Sequence, residues 1–332
     1  MAVTIHDVAR EARVSPATVS RAFNSHPSVG ADYVKRVREA AKKLGYRPNV
    51  VARNLRRQTS DVIALIVPDI GNSFHTALAR GVGDVAREAG LSIMLGNTYE
   101  DSAEEDRYVL MAQMQQVAGL LICPHHSGID ISALMDEGVP VVSIDRGLDA
   151  QVDTVVSASE EGAYKATMHL AKQGWDRIAC VTGPNNIETA VKRAQGYQRA
   201  MAKLGREPML THAPYSKEGG AAAVGAFLDS PEPPNAVFAT NEPLTLGALE
   251  ELGRRGLVAG EDLGLVGFDD SAWAPLVNPA ITVVAQQPYQ VGAQAARMLV
   301  ERMSGEVDIP PRFVVLPTDL VVRESSLKER NG

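Results

Sequence analysis

Apolar positions recur at two spacings along the chain, and the change falls near position 60. Up to there the spacing is helical. Ile5, Val8, Ala9 and Ala12 share one face of a helix predicted over 5–12, and Thr4 stands where its N-cap belongs. Arg13, Val14 and Ser15 break the pattern. Ser15 is a second N-cap, and Pro16 takes the first helical position, where its missing N–H costs nothing. The next helix runs from Ala17 to Phe23, with Val14, Val19 and Phe23 packing back onto the first. Two short helices joined by a three-residue turn predict helix-turn-helix geometry. A third helix, Asp32 to Leu44, carries Lys35, Arg36, Arg38, Lys42 and Lys43 and ends at Gly45.

From Asp61 onward short apolar runs alternate with longer amphipathic ones. Strands are predicted at Val62–Val67, Leu91–Leu95, Gly119–Ile122, Val139–Ile144, Ile178–Thr182, Ala236–Thr240 and Leu263–Gly267. Helices are predicted near 74–89, 104–116, 160–173, 188–204, 219–229 and 243–255. Strands that are apolar throughout, each followed by one helix, mean parallel sheets covered on both faces. The expected fold is α/β: a helix-turn-helix headpiece, 1–48, a linker, 49–60, and a body, 61–332, of two doubly wound parallel-sheet subdomains. A late helix, Pro288–Met303, and strand, Phe313–Leu316, cross back. The subdomains are therefore expected to be discontinuous, about 61–158 with 290–318, and about 159–289 with 319–332.

Charge sharpens this division. The net charge of −7 over 332 residues hides a basic segment, +8 over positions 1–58, attached to an acidic remainder of −15. Such asymmetry points to a nucleic-acid module on an acidic body. Cys123 and Cys180 alone make no disulfide framework, and the charged start carries no apolar leader, so a cytoplasmic setting is expected. No uncharged run reaches membrane-spanning length.

The second helix exposes small and hydroxyl residues around one arginine. Pro16 and Ala17 permit close approach to a major groove. Arg21 can pair bidentately with guanine, and Ser15, Thr18, Ser20 and Asn24 reach phosphates. The run TIHDVAREARVSPATVSRAFN, followed by LGYRPNVVARNLR, resembles the headpiece of the lactose/galactose repressor family over residues 4–57. The resemblance implies a homodimer on pseudo-palindromic operator DNA, with a hinge helix after Tyr46 and Asn49 that orders only in the DNA-bound dimer. It makes Tyr46 and Asn49 phosphate contacts, Ala52 and Arg53 part of the minor-groove segment, and Leu55 a wedge between central base pairs. Thr4 joins the expected DNA-facing set. Tyr33-Val34 departs from the Thr-Arg usual in relatives, which removes a phosphate contact there.

The body resembles the periplasmic sugar-binding-protein fold that this family uses as its sensor. In doubly wound sheets ligands sit beyond the carboxyl ends of the strands. Reading those ends gives Phe74, His75, Asp145, Arg146, Thr189, Arg193, Tyr215, Asn241, Asp269 and Gln286. Carboxylates and amides suit vicinal hydroxyls, the two arginines supply forked donors, and Phe74 and Tyr215 offer apolar faces to sugar C–H groups. Ile144-Asp145-Arg146-Gly147, Gly267-Phe268-Asp269 and Gln286 are similar to pentose sensors, including those for ribose. His75 stands where relatives carry a second aromatic, Ser157-Ala158 where many show Asp-Asn, and Glu242 in place of an aspartate. Ile187 replaces the arginine of the purine-sensing branch.

Gly81-Val82-Gly83-Asp84-Val85-Ala86 fits a dinucleotide pattern but falls inside a predicted helix, where that pattern has no function. Cys123, His125 and His126 lack further metal-ligand spacing. No catalytic constellation stands out. The expectation is a non-enzymatic regulator without metal or cofactor, whose operator affinity follows a small sugar or polyol. A cytoplasmic sugar-binding protein, or a sensor of another metabolite such as a nucleoside, is the alternative. The family resemblance favours a repressor released by an inducer, with corepression as the alternative.

Overall fold

The computed structural model describes residues 3–23, 29–46, 60–305 and 309–328. The chain divides after position 59 into two compact units.

The first unit contains α1 (Ile5–Ala12), α2 (Pro16–Phe23) and α3 (Ala31–Leu44). Asp7 in the first turn of α1 accepts both the Thr4 N–H, at 2.9 Å, and the Thr4 hydroxyl, at 2.7 Å. Ser15 Oγ accepts the Thr18 N–H at 3.1 Å and so caps α2. The three helices close on Val8, Ala9, Ala12, Val19, Ala22, Val37, Ala40 and Ala41, all buried. Five of these eight are alanines, which lets such short helices approach closely enough to exclude water. Arg36 donates to the Ala12 carbonyl, satisfying one of the acceptors orphaned at the end of α1.

The second unit builds two six-stranded sheets. The first half runs β1 (Val62–Val67), α4 (Ser73–Glu88), β2 (Ser92–Asn97), α5 (Ser102–Met114), β3 (Gly119–Ile122), α6 (Ser132–Asp136), β4 (Val141–Ile144) and β5 (Asp153–Ser157). The second runs α7 (Ser159–Lys172), β6 (Ile178–Thr182), α8 (Glu188–Leu204), β7 (Met209–His212), α9 (Lys217–Leu228), β8 (Ala236–Ala239), α10 (Glu242–Arg255), β9 (Gly264–Phe268) and β10 (Thr282–Ala285). Then α11 (Pro288–Met303) and β11 (Phe313–Leu316) return to the first sheet, and β12 (Asp319–Val321) joins the second.

The strand orders are β11-β5-β4-β3-β1-β2 and β12-β10-β9-β8-β6-β7, so the second sheet repeats the first position by position. All pairings are parallel except β10 with β12. Parallel strands need crossover helices, which cover both faces, and this explains the uninterrupted apolar runs of β1, β3 and β8. The chain passes between the sheets at residues 157–159, 285–288 and 316–319.

The return of α11 depends on a close helix crossing. A Cβ at Gly81 would overlap the Tyr289 carbonyl, and one at Gly292 the Leu78 carbonyl. These glycines let α4 and α11 meet backbone to backbone, which is the function of Gly81 in the apparent dinucleotide motif. Asp153 fastens the following strand. It accepts from Arg302 at 2.9 Å, from Arg312 Nη2 at 2.9 Å and from the Arg312 N–H at 2.7 Å. The two guanidiniums hold its carboxyl down at about 2, against the pull of burial.

Three features of the pattern hid elements from the sequence. Strand β5 starts on a buried aspartate and includes Thr154 and Ser157, so it does not read as an apolar run. Strand β12 has three residues only. Strand β2 extends past Leu95 to Asn97 because it lies at a sheet edge, where one polar face is tolerated.

Replacing Asp153 with Ala should destabilise the second unit by about 3 kcal/mol, the low end for removing one partner from a buried ion pair, because both arginines reach solvent. The loss should shrink as pH falls from the unfolded carboxylate value near 4 toward about 2, where the native carboxylate is itself protonated. Chemical denaturation of the two proteins across that range measures it.

Candidate functional site

In the first unit α2 presents its outer face to solvent. Ser15, Pro16, Ala17 and Arg21 are exposed, Thr18 and Ser20 half-buried, and Val19 and Ala22 buried beneath them. Ser15 and Thr18 share a hydroxyl–hydroxyl bond at 2.9 Å while Ser15 also accepts the Thr18 N–H. One hydroxyl proton of the pair remains to donate outward, so capping leaves a phosphate-type contact available. Thr4 is exposed at the start of α1. Tyr46 is half-buried, with its ring 6.1 Å from that of Phe23. Arg36 and Lys43 are partly committed within the unit, to the Ala12 carbonyl and to Glu11. Asn24, Asn49, Ala52, Arg53 and Leu55 lie outside the described residues.

In the second unit the carboxyl ends of both sheets line a cavity of about 210 Å³. Phe74, His75, Asp145 and Arg146 come from the first sheet, and Thr189, Arg193, Tyr215, Asn241 and Gln286 from the second. Asp269 is not among the lining residues. It stands behind Gln286, whose Nε2 donates to its Oδ1 at 2.6 Å. Asp69, Asn72, Tyr99, Glu100 and Pro243 also line the cavity. Tyr99 and Glu100 were missed because they follow the true end of β2, two residues beyond the end read from hydrophobicity.

Asp145 and Asp269 occupy equivalent places, one residue past β4 and one past β9. Both have left-handed backbones, φ 65° and 78°. Both donate their N–H to the neighbouring strand, Asp145 to Val155 at 2.8 Å and Asp269 to Val284 at 2.9 Å. That conformation costs a non-glycine residue of order 1 kcal/mol or more and turns the carboxylate off the strand line.

Arg146 is buried and clamped. It forms two bonds to Glu100, at 2.9 and 2.6 Å, and one to the Pro124 carbonyl at 3.1 Å. Its Nε, the Asp145 Oδ1 and the Gln286 Oε1 are buried without a hydrogen-bond partner among the described residues. Arg193 spends Nη1 on the Thr240 carbonyl at 2.7 Å, and its guanidinium lies 3.8 Å from the centroid of Phe268. Asn241 caps α10 by accepting the Leu244 N–H, which leaves its amide donors for the cavity. His75 Nδ1 meets the Asp69 carbonyl at 2.8 Å. A carbonyl only accepts, so Nδ1 carries the proton and Nε2 is the basic nitrogen. Burial pushes the imidazole pKa down, opposed by the nearby Asp145, and pushes the Cys123 thiol well up.

Two carboxylates from the second sheet bridge the cleft mouth. Glu242 accepts from Ser73 Oγ and, at 2.8 Å, from Trp273 Nε1. Glu188 accepts the Gly147 N–H at 2.6 Å. Ile187, beside it, is buried. His125 turns to Glu100, Nδ1 to Oε2 at 3.1 Å.

A set of short helices that exposes an arginine-bearing face, joined to two facing doubly wound sheets with polar groups at their strand ends, defines a DNA-binding regulator with a small-molecule cleft. Residues 4–49 match the description "Bacterial regulatory proteins, lacI family", and residues 167–326 match "Periplasmic binding protein-like domain". Catabolite control protein A of Priestia megaterium is 34% identical, over 98% of this chain and 100% of its own. A solved complex of the transcriptional regulator CelR with cellobiose is 33% identical with a TM-score of 0.74, covering 97% of this chain and 99% of that one. The Lac repressor dimer bound to operator and anti-inducer, 24% identical, has a TM-score of 0.86 and so shares the fold. The chain belongs to the LacI family and is a DNA-binding transcriptional regulator, not an enzyme. Among the described residues no helix is long and apolar enough to cross a membrane.

Burial raises the Asp269 carboxyl to about 6, against the attraction of Arg193. A carboxyl whose folded value lies above its unfolded value near 4 supports the fold fully only below about pH 4, and that support drains away as pH rises to about 6. The unliganded protein should lose about 3 kcal/mol through this group over that window. The stability difference between wild type and Asp269→Asn, measured by denaturation from pH 4 to 7, should narrow or reverse in the variant's favour by that amount. A difference independent of pH would show that Asp269 is not held in this state.

Proposed function

We propose that this regulator is a cytoplasmic repressor that binds a pseudo-palindromic operator as a homodimer, and that a sugar or polyol of single-ring size in the cleft sets its operator affinity. The carrying observation is the distribution of unsatisfied polar atoms. Asp145 Oδ1 and Arg146 Nε belong to one sheet and Gln286 Oε1 to the other. Unpaired buried polar groups each cost about 1–3 kcal/mol, so a ligand that satisfies all three favours the arrangement that brings both halves to it. Differential affinity of this kind is the only route by which a ligand shifts a conformational equilibrium.

The chemistry at these positions supports a polyhydroxylated ligand. Carboxylate and amide oxygens accept hydroxyl protons, guanidinium and amide nitrogens donate to hydroxyl oxygens, and Phe74 supplies an apolar wall. The cavity, about 210 Å³, is below the roughly 300–1,000 Å³ of pockets for drug-sized ligands. That favours one ring over a disaccharide such as the cellobiose held by CelR. By the family resemblance, Ile187 stands where the purine-sensing branch carries an arginine, which favours a sugar over a nucleoside base.

In the first unit Arg21 is the base-reading side chain, with Ser15, Thr18 and Ser20 on phosphates. Leu55 is proposed as the minor-groove wedge on the family resemblance. Arg21→Ala should lower operator affinity by about 1–3 kcal/mol and relax the preference at one base pair per half-site. Fluorescence anisotropy on a randomised-position operator series reads both, and an unchanged base preference would remove Arg21 from that role. For the cleft, thermal denaturation of the full chain against pentoses, hexoses, polyols and nucleosides should single out a monosaccharide or polyol, which shifts Tm by mass action and changes operator affinity in the same preparation. A panel in which only nucleosides raise Tm would overturn the sugar reading.

A further inference from the structure

Strands β1, β3 and β4 lie side by side in the first sheet and end on one edge. Past each end stands one metal-ligating side chain: His75 in the first turn of α4, Cys123 directly after β3, and Asp145 directly after β4. An imidazole nitrogen, the thiol sulfur and a carboxylate oxygen of these three buried residues all lie within 4.8 Å of one another. We propose that His75, Cys123 and Asp145 bind a divalent transition-metal ion of the zinc type, with its fourth position open to the cleft, where it takes an oxygen of the effector. The second clause rests on the cleft being the effector site; the first does not.

The donor set is the first argument. Imidazole nitrogen, thiolate sulfur and carboxylate oxygen are each zinc donors, and three protein ligands with a fourth place left open is the arrangement of an accessible zinc centre. A thiol is a weak hydrogen-bond partner, so a sugar hydroxyl gains little from a sulfur at this position. Cys123 Sγ already lies 3.8 Å from Asp145 Oδ2, close to the edge of a tetrahedral coordination sphere with bonds of about 2.0–2.3 Å. The widest separation, within 4.8 Å, has to shorten by about 1 Å on binding to reach that edge.

The surroundings supply the second argument. The Asp69 carbonyl holds Nδ1–H of His75, the outer contact that metal-bound histidines commonly make, and leaves Nε2 as the ligating atom. The Asp145 carboxylate turns Oδ2 toward the Cys123 sulfur, for the ion, and keeps Oδ1 buried without a partner among the described residues, for the effector. The left-handed backbone of Asp145 fixes where that carboxylate points. Charge also balances. A thiolate and a carboxylate cancel a dication, while the adjacent Arg146, 4.0 Å from Asp145 Oδ2, is balanced by two hydrogen bonds to Glu100. His75 and Asp145 line the cavity, which directs the open position into it. Linear spacing conceals the site, because 75, 123 and 145 lie far apart in the sequence and only parallel pairing brings them together.

The test uses the untagged full chain, stripped with a chelator and titrated anaerobically with Co2+. The expected result is one ion per chain with a thiolate-to-cobalt charge-transfer band that Zn2+ abolishes. Cys123→Ser should lose the band and bind at least about 100-fold more weakly, and His75→Gln should weaken binding comparably, both with native circular dichroism. A wild-type titration without the band, or a band unchanged in Cys123→Ser, overturns the metal site. The effector reading fails separately, if no sugar or polyol raises Tm in either stripped or loaded protein. A ligand whose affinity is the same in both forms overturns the fourth-position clause while leaving the metal site standing.

Discussion

Parallel hydrogen bonding between neighbouring strands makes all of them but β12 end on the same edge of their sheet, and the rest of the sensor unit depends on that constraint. Crossovers cover both sheet faces, so the strand interiors are largely apolar. Polar side chains then gather chiefly where the strands stop. Three passages between the sheets set two such edges opposite each other, and the cavity is the gap between them. Chemistry and core are separated by a step of one residue: Ile144 is fully buried among apolar neighbours, and Asp145 faces the cleft.

Within the cleft, polar groups are arranged in incomplete sets. Arg146 has Glu100 and the Pro124 carbonyl yet keeps one nitrogen unpaired. Gln286 donates to Asp269 and keeps its oxygen unpaired. Such a lining is worse for the empty protein than a fully bonded one, and the two large apolar cores behind it offset the difference. Glu242 and Glu188, by contrast, each spend one carboxylate oxygen on the other half at the cleft mouth, on Ser73 and on the Gly147 N–H. The substitution of glutamate at position 242 therefore acts on the meeting of the halves, through Ser73, more directly than on a ligand, with Trp273 of its own half holding the other oxygen.

The architecture was legible where periodicity was strong. The helices at 5–12, 188–204 and 288–303 and the strand at 313–316 have the bounds that spacing and capping residues suggest. Strand β5 escaped because an ion pair, not hydrophobicity, holds its first residue in the interior: Asp153 reads as a loop until Arg302 and Arg312 are seen to neutralise it. The strand-end rule located nine of the ten expected cleft residues on the cavity wall. The tenth, Asp269, is at the expected strand end and reaches the cavity wall through Gln286, which donates to its Oδ1. The rule missed Tyr99 and Glu100 through a two-residue error in the end of an edge strand. Cys123 showed no metal-ligand spacing in the sequence, because the two residues that give it chemical company arrive from other strands.

The repeated strand order has a further use. Each position at the end of a strand in the first sheet has a counterpart in the second, so the chain holds two answers to the same backbone problem. Asp145 and Asp269 are one such pair, with the same left-handed turn and the same bond to the next strand. Cys123 and Thr240 are another: each follows the third strand of its sheet and donates its N–H back to the first, to Ile66 and Val181. The Thr240 hydroxyl is absorbed locally by Thr182. The second half thus acts as an internal control for the first. It shows that the aspartate belongs to the shared scaffold, whereas nothing in the backbone requires sulfur at position 123.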